Sequence, residues 1–328
     1  MSGEAHYALQ LVVPTFAIVI ATRNRREQAL RALRSALVQV QQCEVILVDN
    51  GSSDGTADAV ADAGACVLVE PRPGASRARN LGLGRSSEDY VAFLDDDGVA
   101  PVDWIAVASG IVEGSGFDAL GGPYQPLYDA PKPAWFKDSY ETRTWGPVAR
   151  ELGPGEVLSG SNMIWKRETL LEIGGFDVTL GPAGSRFACG EDTELFFRLR
   201  RLKPDAKVWY DPALAIRHSV TAAKMKPRSA LKRGYDEGRG WIVANPPANR
   251  WTAVRELARR AVILIALGLY SAVWPRWIWA RGPWCFETGK KLTCQWGNVV
   301  ELVAGLKAHG RPKRDGPERC APQGEEPH

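Results

Sequence analysis

The sequence of 328 residues predicts an α/β fold with a mostly parallel, Rossmann-like sheet flanked by helices. Two observations support this prediction: short apolar runs recur four times in the first hundred residues, and segments with helical spacing separate them. The runs are continuously apolar rather than alternating, which is typical of parallel strands that are buried on both faces. Right-handed crossovers join such strands, and ligands bind at their carboxyl ends.

Each element follows from the local spacing of apolar residues. The predicted strands are 16–20, 44–48, 66–70 and 90–94. The predicted helices are 26–41, 56–63, 76–83 and 191–202. The apolar residues assigned to the buried faces of the first and last helices are Leu30, Leu33, Leu37, Val40, Leu195, Phe196, Leu199 and Leu202. A stretch rich in Pro, Gly and aromatic residues at 121–156 is predicted to be a long irregular connection, and residues 207–217 a strand and a turn.

The composition is that of a globular protein, with 45% apolar and 24% charged residues. It excludes a wholly disordered or collagen-like chain. The net charge of +3 argues against a general nucleic-acid binder. The charge is unevenly divided, because residues 1–223 carry a net charge of −7 and residues 224–328 a net charge of +10. This asymmetry predicts two parts with different partners.

Six cysteines are scattered along the chain and form no C-x-x-C pair. This spacing argues against a structural zinc site. We therefore expect free thiols in a reducing compartment. The N-terminal segment lacks the basic and apolar regions of a signal peptide, so the sequence predicts a cytoplasmic protein.

Polar residues follow the predicted strands, at the edge where ligands bind in a parallel sheet. The most distinctive are Asp49, in D-N-G-S-S-D-G-T after the second strand, and Asp95-Asp96-Asp97 after the fourth. Three adjacent carboxylates repel one another, and two interpretations remain open: a solvated acidic turn, or a site for a divalent cation such as Mg²⁺ or Mn²⁺. No G-x-G-x-x-G follows a strand and no G-x-x-x-x-G-K-[ST] occurs, which argues against a dinucleotide-dependent dehydrogenase and a P-loop NTPase.

Several segments, in this order and spacing, resemble a family 2 glycosyltransferase with a GT-A fold. They are VIATRNR, EVILVDNGSSDGT, PGASRARNLGL, FLDDDG, LSGSNMIWKRETLLEIGGFD, CGEDTELFFRLRR and AIRHSV. The resemblance covers roughly residues 15–220. Two departures stand out: Lys203-Pro204 replaces the glycine that the family usually has after this helix, and the Q-x-x-R-W motif of processive synthases is absent. The second departure favours transfer of single sugars over polymer extrusion.

The resemblance implies an inverting, metal-dependent glycosyltransferase that moves a sugar from a nucleotide-diphosphate sugar, UDP by default. The acceptor would be a glycan or a lipid-linked molecule in the synthesis of cell-surface polysaccharide or glycolipid. The implied cofactor is Mn²⁺ or Mg²⁺, with the ligands Asp97, Asp95 and His218. The implied nucleotide-sugar-binding residues are Thr22, Arg23, Asp49, Asp54, Gly74, Arg77, Asn80, Asp95 and Asp96.

The acceptor side is implied in the same way. Asp192 resembles the family's general base, and Glu191 is the fallback. Gly160, Ser161 and Asn162 would form part of the acceptor or donor-sugar wall. A structural alternative stands beside several of these roles. Asp54 is a good helix N-cap, Asn80 and His218 can be ordinary structural residues, and the Glu191-Asp192 pair can simply favour the start of a helix.

Two other functions remain open. A sugar-nucleotide pyrophosphorylase shares the layout, but it needs a glycine-rich loop after the first strand, where this sequence has A-T-R-N-R-R. A non-catalytic, membrane-associated nucleotide-sugar-binding module would keep the sheet without activity. Transfer or hydrolysis of a donor sugar would exclude this second alternative.

The predicted domains are a GT-A catalytic domain at 1–223, a basic, Trp-rich helical extension at 224–308 and a disordered tail at 309–328. The catalytic domain divides into a nucleotide-sugar-binding half at 15–100 and an acceptor half at 101–223. The extension contains an apolar run at 261–274, which is shorter than the about 20 residues of a spanning helix. Flanking Trp and Arg residues favour peripheral attachment to the cytoplasmic face of a membrane, with a buried helix as the alternative.

Overall fold

The first half of the chain alternates strands and helices as the sequence predicts. The computed structural model describes residues 13–61, 63, 65–113, 115–182, 190–273 and 283–308. The first strands are β1 (Phe16–Thr22), β2 (Glu44–Asp49), β3 (Cys66–Val69) and β4 (Tyr90–Leu94). The helices between them are α1 (Arg26–Leu37), α2 (Thr56–Ala61) and α3 (Ala75–Arg85). All four strands are parallel, because β1 pairs with β2 and β4, and β2 pairs with β3.

The second half adds shorter strands and two further groups of helices. The strands are β5 (Gly98–Val99), β6 (Ala119–Gly121), β7 (Tyr124–Tyr128), β8 (Arg150–Glu151), β9 (Asn162–Lys166), β10 (Val208–Tyr210) and β11 (Ile216–Val220). The helices among them are α4 (Trp104–Val112), α5 (Arg167–Glu172) and α6 (Glu191–Leu202). Three helices follow, namely α7 (Pro227–Ala244), α8 (Arg250–Val273) and α9 (Pro283–Ala308). The predicted tail at 309–328 lies outside the described residues.

Two sheets organise the described residues. The larger has the strand order β3-β2-β1-β4-β9-β6-β10-β8, in which β9 runs antiparallel to β4 and β6, and β8 antiparallel to β10. The smaller has the order β5-β11-β7. In the smaller sheet His218 of β11 pairs with Gly98, the residue that follows the acidic triplet. This pairing brings two segments together that the sequence places 120 residues apart.

The core lies on both faces of the larger sheet. Ile18 and Ile20 of β1 pack with α1 and α4 on one face, while Ala17 and Val19 pack with α3 and α6 on the other. Because both faces are covered, every residue of the strand except Ala21 is buried. This explains why the strand sequence is continuously apolar.

The predicted helix faces need correction at their ends. Helix α1 ends at Leu37, so Val40 lies beyond it and is 67% exposed, and Leu37 itself is 38% exposed. Helix α6 has the predicted bounds, but Leu202 in its last turn is 55% exposed. The predicted irregular stretch at 121–156 contains β7 and β8. Neither strand has an apolar run, because each pairs on one side only with a strand that is distant in sequence.

Helices α7 and α9 pack closely because glycines lie at their contact. A Cβ atom on Gly238 of α7 would lie 2.0 Å from the carbonyl oxygen of Cys294, and one on Gly297 of α9 would lie 2.1 Å from that of Tyr235. The two backbones therefore touch without intervening side chains. No helix within the described ranges has an apolar stretch long enough to cross a bilayer.

We expect Gly297→Ala to destabilise the protein by about 1–3 kcal/mol, the usual cost of overpacking, because the added methyl meets main-chain atoms of α7. Urea unfolding monitored by circular dichroism measures this change. Gly305→Ala on the same helix is the matched control, since among the described residues no atom beyond its own stretch of helix lies within 4 Å of its Cβ position. The control should raise stability by about 0.5–1 kcal/mol, as alanine favours a helix over glycine. Equal effects of the two substitutions would contradict the packing argument.

Candidate active site

The carboxyl ends of β1, β2 and β4 meet the start of α6 and the middle of β11. This edge gathers most of the residues that the sequence analysis selected. Asp95, Asp96 and Asp97 follow β4 directly, and their three side chains point to three different sets of partners. The site is best understood by taking each carboxylate in turn.

Asp96 joins the ends of β1 and β4. Its Oδ2 accepts a hydrogen bond from the hydroxyl of Thr22 at 2.9 Å, and its Oδ1 accepts one from Nη1 of Arg25 at 2.8 Å. Burial raises the pKa of Asp96 to about 6, although the charge of Arg25 opposes this shift. Thr22 was predicted to line the nucleotide pocket, and its hydroxyl instead orients a neighbouring carboxylate.

Asp97 lies against His218 of β11 and Lys224, which follows β11, and Nη1 of Arg25 lies 3.4 Å from its Oδ2. Nε2 of His218 lies 2.9 Å from its Oδ1, and the ammonium of Lys224 lies 2.8 Å from its Oδ2. Burial raises the pKa of Asp97, but the contact with His218 and the charge of Lys224 outweigh burial, so this pKa lies well below its ordinary value. Asp97 is therefore a buried anion whose neighbours are cations or nitrogen donors.

The pair of Asp97 and His218 fits a divalent cation. Asp97 Oδ1 is buried without a well-aligned hydrogen bond, and a carboxylate oxygen beside an imidazole nitrogen is a suitable pair of ligands. Nζ of Lys224 lies 3.4 Å from His218 Nε2 and occupies the neighbouring space. The third predicted ligand, Asp95, is turned toward Arg79 instead. Within the described ranges no three Asp, Glu, His or Cys side chains come together as a metal cage.

Arg79 of α3 links the acidic triplet to the start of α6. Its Nη2 donates to Asp95 Oδ1 at 2.8 Å, and its Nη1 donates to Glu191 Oε1 at 3.0 Å. The Arg79 side chain is only 8% exposed, and its ring neighbour is Phe176, whose centroid lies 5.4 Å from the guanidinium carbon. Burial raises the pKa of Glu191, while Arg79 acts in the opposite direction. Glu191 is thus buried and forms an ion pair with Arg79.

Asp192, the predicted base, is half-buried at the first turn of α6. Its Oδ2 accepts a hydrogen bond from the backbone N–H of Gly160 at 3.1 Å, and its Oδ1 accepts one from the N–H of Thr193 at 2.7 Å. These bonds fix the carboxylate while leaving lone pairs on both oxygens. Of the two acidic residues that open the helix, Asp192 is the one that remains accessible.

A second cluster lies at the end of β2. Asp49 is 2% exposed, and its Oδ2 accepts a hydrogen bond from the N–H of Ser52 at 3.0 Å. Its Oδ1 is buried and accepts no hydrogen bond from the described residues. Asn50 ties this strand end to the next loop, because its Oδ1 accepts from the N–H of Gly74 at 2.7 Å. Gly74 has a φ of 145°, which a residue with a side chain rarely adopts.

Other predicted residues have structural tasks. The side-chain amide of Asn80 donates to the carbonyl of Phe176 and accepts from its N–H, both at 2.8 Å, so this amide is not free for a nucleotide. Asn162 is fully buried and donates to the carbonyls of Pro123 and Leu214, which removes it from the predicted acceptor wall.

The remaining predicted residues differ in burial and in their partners. Ser161 is also buried, with its hydroxyl 3.0 Å from that of Ser159. Asp54 is exposed and accepts hydrogen bonds from the backbone and hydroxyl of Thr56 at the start of α2. Arg23 is exposed on the loop after β1, and Arg77 is half-buried on α3.

Sequence reasoning missed Arg25, Arg79 and Lys224. Arg25 and Arg79 stand inside the quoted A-T-R-N-R-R and A-R-N segments, but their spacing alone does not separate them from the arginines around them. Lys224 comes six residues after His218 and carries no motif. The acidic triplet itself was the available indication, since adjacent carboxylates, two of them buried, require basic partners.

A cavity of about 740 Å³ opens beside Asp192. The first turn of α6 forms one wall, and helices α7, α8 and α9 form the others, with Trp241 among the lining residues. The C-terminal helices therefore form most of the wall of the cavity beside Asp192.

Comparisons with known proteins agree with this geometry. The family model "Glycosyl transferase family 2" matches residues 17–159. A glucosyl-dolichyl phosphate glucuronosyltransferase of Haloferax volcanii is 27% identical over 218 residues, which cover 62% of this chain and 68% of that protein. The succinoglycan biosynthesis protein ExoM of Rhizobium meliloti is 32% identical over 129 residues, 38% of this chain and 39% of that protein. The chain thus spans between 39% and 68% of the length of these two relatives.

Among solved structures, the mannosyltransferase PcManGT from Pyrobaculum calidifontis, determined in complex with GDP-Man and Mn²⁺, superposes with a TM-score of 0.55 at 17% identity. The superposition covers 91% of this chain and 88% of that protein. At this identity the likeness establishes the fold, an α/β sheet of GT-A type. The family model matches residues 17–159, so this part of the chain is similar to glycosyltransferase family 2.

Proposed function

We propose that this protein is an inverting, metal-dependent glycosyltransferase that moves a sugar from a nucleotide-diphosphate sugar to a glycan or lipid-linked acceptor, in the synthesis of cell-surface polysaccharide or glycolipid. The observation that carries the proposal is the position of Asp192. Its accessible carboxylate lies between the acidic edge of the sheet and the cavity of about 740 Å³. A base in this position separates a donor side from an acceptor side.

The donor would bind along the ends of β1, β2 and β4. Asp49 supports this, because its buried Oδ1 has an unused acceptor site that suits an N–H of a nucleobase. Arg25 and Lys224 lie where they can face a diphosphate, and the backbone turn at Gly74 completes this edge. UDP is the first base to test. GDP is the second, because the mannosyltransferase that shares the fold was determined with GDP-Man.

Asp97 and His218 would hold Mn²⁺ or Mg²⁺, and Lys224 would turn away from them as the cation binds. The bound cation would stabilise the negative charge of the departing nucleoside diphosphate. Asp95 is held by Arg79 and would contact the donor rather than the metal in this arrangement. Asp96 would act indirectly, through its bonds to Thr22 and Arg25.

The chemical step is a single nucleophilic displacement. The acceptor hydroxyl oxygen attacks the anomeric carbon from the face opposite the diphosphate, and the bond from that carbon to the diphosphate oxygen breaks. The hydroxyl proton passes to the Asp192 carboxylate, which the N–H groups of Gly160 and Thr193 hold in place. Attack from the opposite face inverts the configuration. Glu191 serves this step through Arg79 rather than as a base.

The test is Asp192→Asn. We expect kcat for transfer to fall by roughly 10²-fold, within the usual contribution of a general base, because asparagine keeps the hydrogen bond from Gly160 but cannot take a proton. Donor affinity, measured by calorimetry with UDP or GDP and Mn²⁺, should stay unchanged. Asp205→Asn, at an exposed position after α6, is the matched control. A loss of nucleotide affinity with unchanged kcat would place Asp192 on the donor side instead.

We further propose that the helices from residue 224 attach the catalytic domain peripherally to the cytoplasmic face of a membrane. One face of α8 exposes Trp251, Val254, Val262 and Ile265, and arginines flank this apolar face. An apolar stripe beside basic residues suits an anionic bilayer surface. Sedimentation with phosphatidylglycerol vesicles, but not with phosphatidylcholine vesicles, is the expected result. Equal sedimentation with both would remove the electrostatic part of the proposal.

The same assays test the two remaining alternatives. A non-catalytic binding module would bind the nucleotide and neither transfer nor hydrolyse the donor sugar. A pyrophosphorylase would consume a nucleoside triphosphate, for which the A-T-R-N-R-R loop offers no glycine-rich cradle.

A further inference from the structure

The cavity beside Asp192 is built by two distant parts of the chain. One wall is the turn that opens α6, and the opposite wall comes from the helices α7, α8 and α9. Gly190 and Gly240 hold these walls together, because a Cβ atom on Gly190 would lie 3.0 Å from the Cα of Gly240. Trp241 follows immediately and packs edge-on against Phe197 of α6, with ring centroids 5.5 Å apart.

Trp241 offers an aromatic surface inside this cavity. Its contact with Phe197 is T-shaped, at an interplanar angle of 81°, and 37% of the residue remains exposed. The indole is therefore held in one orientation with part of its surface available. The C–H faces of a sugar ring are apolar and pack on such a surface, while its hydroxyls bond to polar groups around it.

The charges that line the cavity are balanced. Four arginines and four acidic residues line the cavity, and the acidic residues include Asp192 and Glu237. Several are already neutralised, since Arg233 pairs with Glu141 and Arg260 pairs with Glu256. A cavity built to hold a bare phosphate would carry a clear excess of cations. This one presents hydrogen-bonding groups of both signs, as a polyhydroxylated ligand requires.

We infer that the acceptor is a sugar, that its reacting group is a sugar hydroxyl rather than a phosphate oxygen, and that the acceptor sugar binds in this cavity against Trp241. The inference rests on the proposed function and names its acceptor class. The volume of about 740 Å³ falls in the range of about 300–1,000 Å³ for small-ligand sites and admits a mono- or disaccharide. A base is needed for this class of acceptor, because an alcohol must lose a proton as it attacks, whereas a phosphate oxygen already carries charge.

The experiment offers the purified full-length protein UDP-glucose or GDP-mannose with Mn²⁺. The acceptors are octyl glycosides of glucose, galactose, mannose and N-acetylglucosamine, and octyl phosphate serves as the competing class. We expect transfer to at least one glycoside and none to octyl phosphate. Transfer to octyl phosphate alone, or to no glycoside while the donor is still hydrolysed, would overturn the inference. Absence of both transfer and hydrolysis would count against the proposed function itself.

Trp241 variants test the stacking surface. Trp241→Ala should raise KM for the accepted glycoside by roughly tenfold, equivalent to about 1.4 kcal/mol, while the rate of donor hydrolysis by water stays the same. Trp241→Phe should restore most of the affinity for the glycoside. If Trp241 only stabilised the fold, its loss would change the rate of donor hydrolysis as well as the KM for the glycoside. Trp296→Ala is the matched control, since that tryptophan is 55% exposed on α9 and does not line the cavity. An unchanged glycoside KM in Trp241→Ala would refute this role.

Discussion

Replacing Arg79 with alanine should destabilise the protein by about 3–5 kcal/mol, the usual cost of removing one partner of a buried ion pair. Arg79 is the shared partner of Asp95 and Glu191, and without it Glu191, 7% exposed, loses its counter-charge. The rate of transfer should fall by roughly 10³-fold, because a misplacement of about 1 Å near the reacting groups already costs about 10²-fold. Chemical unfolding and steady-state kinetics measure the two effects.

Two further variants sharpen this prediction. Arg79→Lys keeps the charge, but its single ammonium cannot reproduce two diverging N–H groups, so it should regain stability more than activity. Arg85→Ala removes another ion-paired arginine of the same helix, whose side chain is 50% exposed, and should change neither quantity much. If Arg79→Ala and Arg85→Ala change stability and transfer rate equally, the ion pairs of Arg79 with Asp95 and Glu191 contribute nothing specific to activity.

Asp97→Asn should lower transfer by roughly 10³-fold or more, because the loss of a metal ligand removes several kcal/mol of charge stabilisation from the transition state. The variant should also lose the dependence of UDP or GDP binding on Mn²⁺, which calorimetry reports without any turnover. Asparagine keeps the volume of the buried side chain, so the fold should persist, with some loss of stability from the unpaired Lys224.

Asp129→Asn is the control for this change. Asp129 lies at the end of the neighbouring strand β7, pairs with Arg31 at 2.7 Å and is 23% exposed. Its replacement should leave the Mn²⁺ dependence intact. Persistence of near-normal turnover and Mn²⁺ dependence in Asp97→Asn would show that the carboxylate serves only its basic neighbours, such as His218 and Lys224, and holds no metal.

The part of the fold that the sequence predicts is the part whose strands have an apolar pattern of their own. Strands β1 to β4 are apolar runs of four to seven residues, and β1, β2 and β4 are apolar because both of their faces are covered, whereas the edge strand β3 is only partly buried. Strands β5 and β8 have two residues each, and their existence depends on partners such as Arg217 and Trp209 that lie far along the chain. Such pairings follow from the assembled fold and leave no local pattern.

The candidate site divides in the same way. The acidic triplet, Asp192 and His218 stand in segments that resemble a known family, so their neighbourhood was predictable. Arg79 was not, because an arginine in a helix normally faces solvent, and its burial depends on Glu191, 112 residues away. The basic, Trp-rich composition of the C-terminal helices favoured a membrane surface, with a buried helix as the alternative, and the close contact through glycines is not visible in charge or hydropathy.

The contact between Gly190 and Gly240 makes the breadth of the cavity a property of the main chain. Gly190 has a φ of 108°, and its missing Cβ is what lets α7 approach the first turn of α6. A methyl group on Gly190 would meet the Cα and the carbonyl oxygen of Gly240, both at 3.0 Å, and would push α7 and Trp241 away from the first turn of α6. The contact between Gly190 and Gly240 can therefore set the size of the sugar ring that fits the cavity, without any change in the longer side chains that line it.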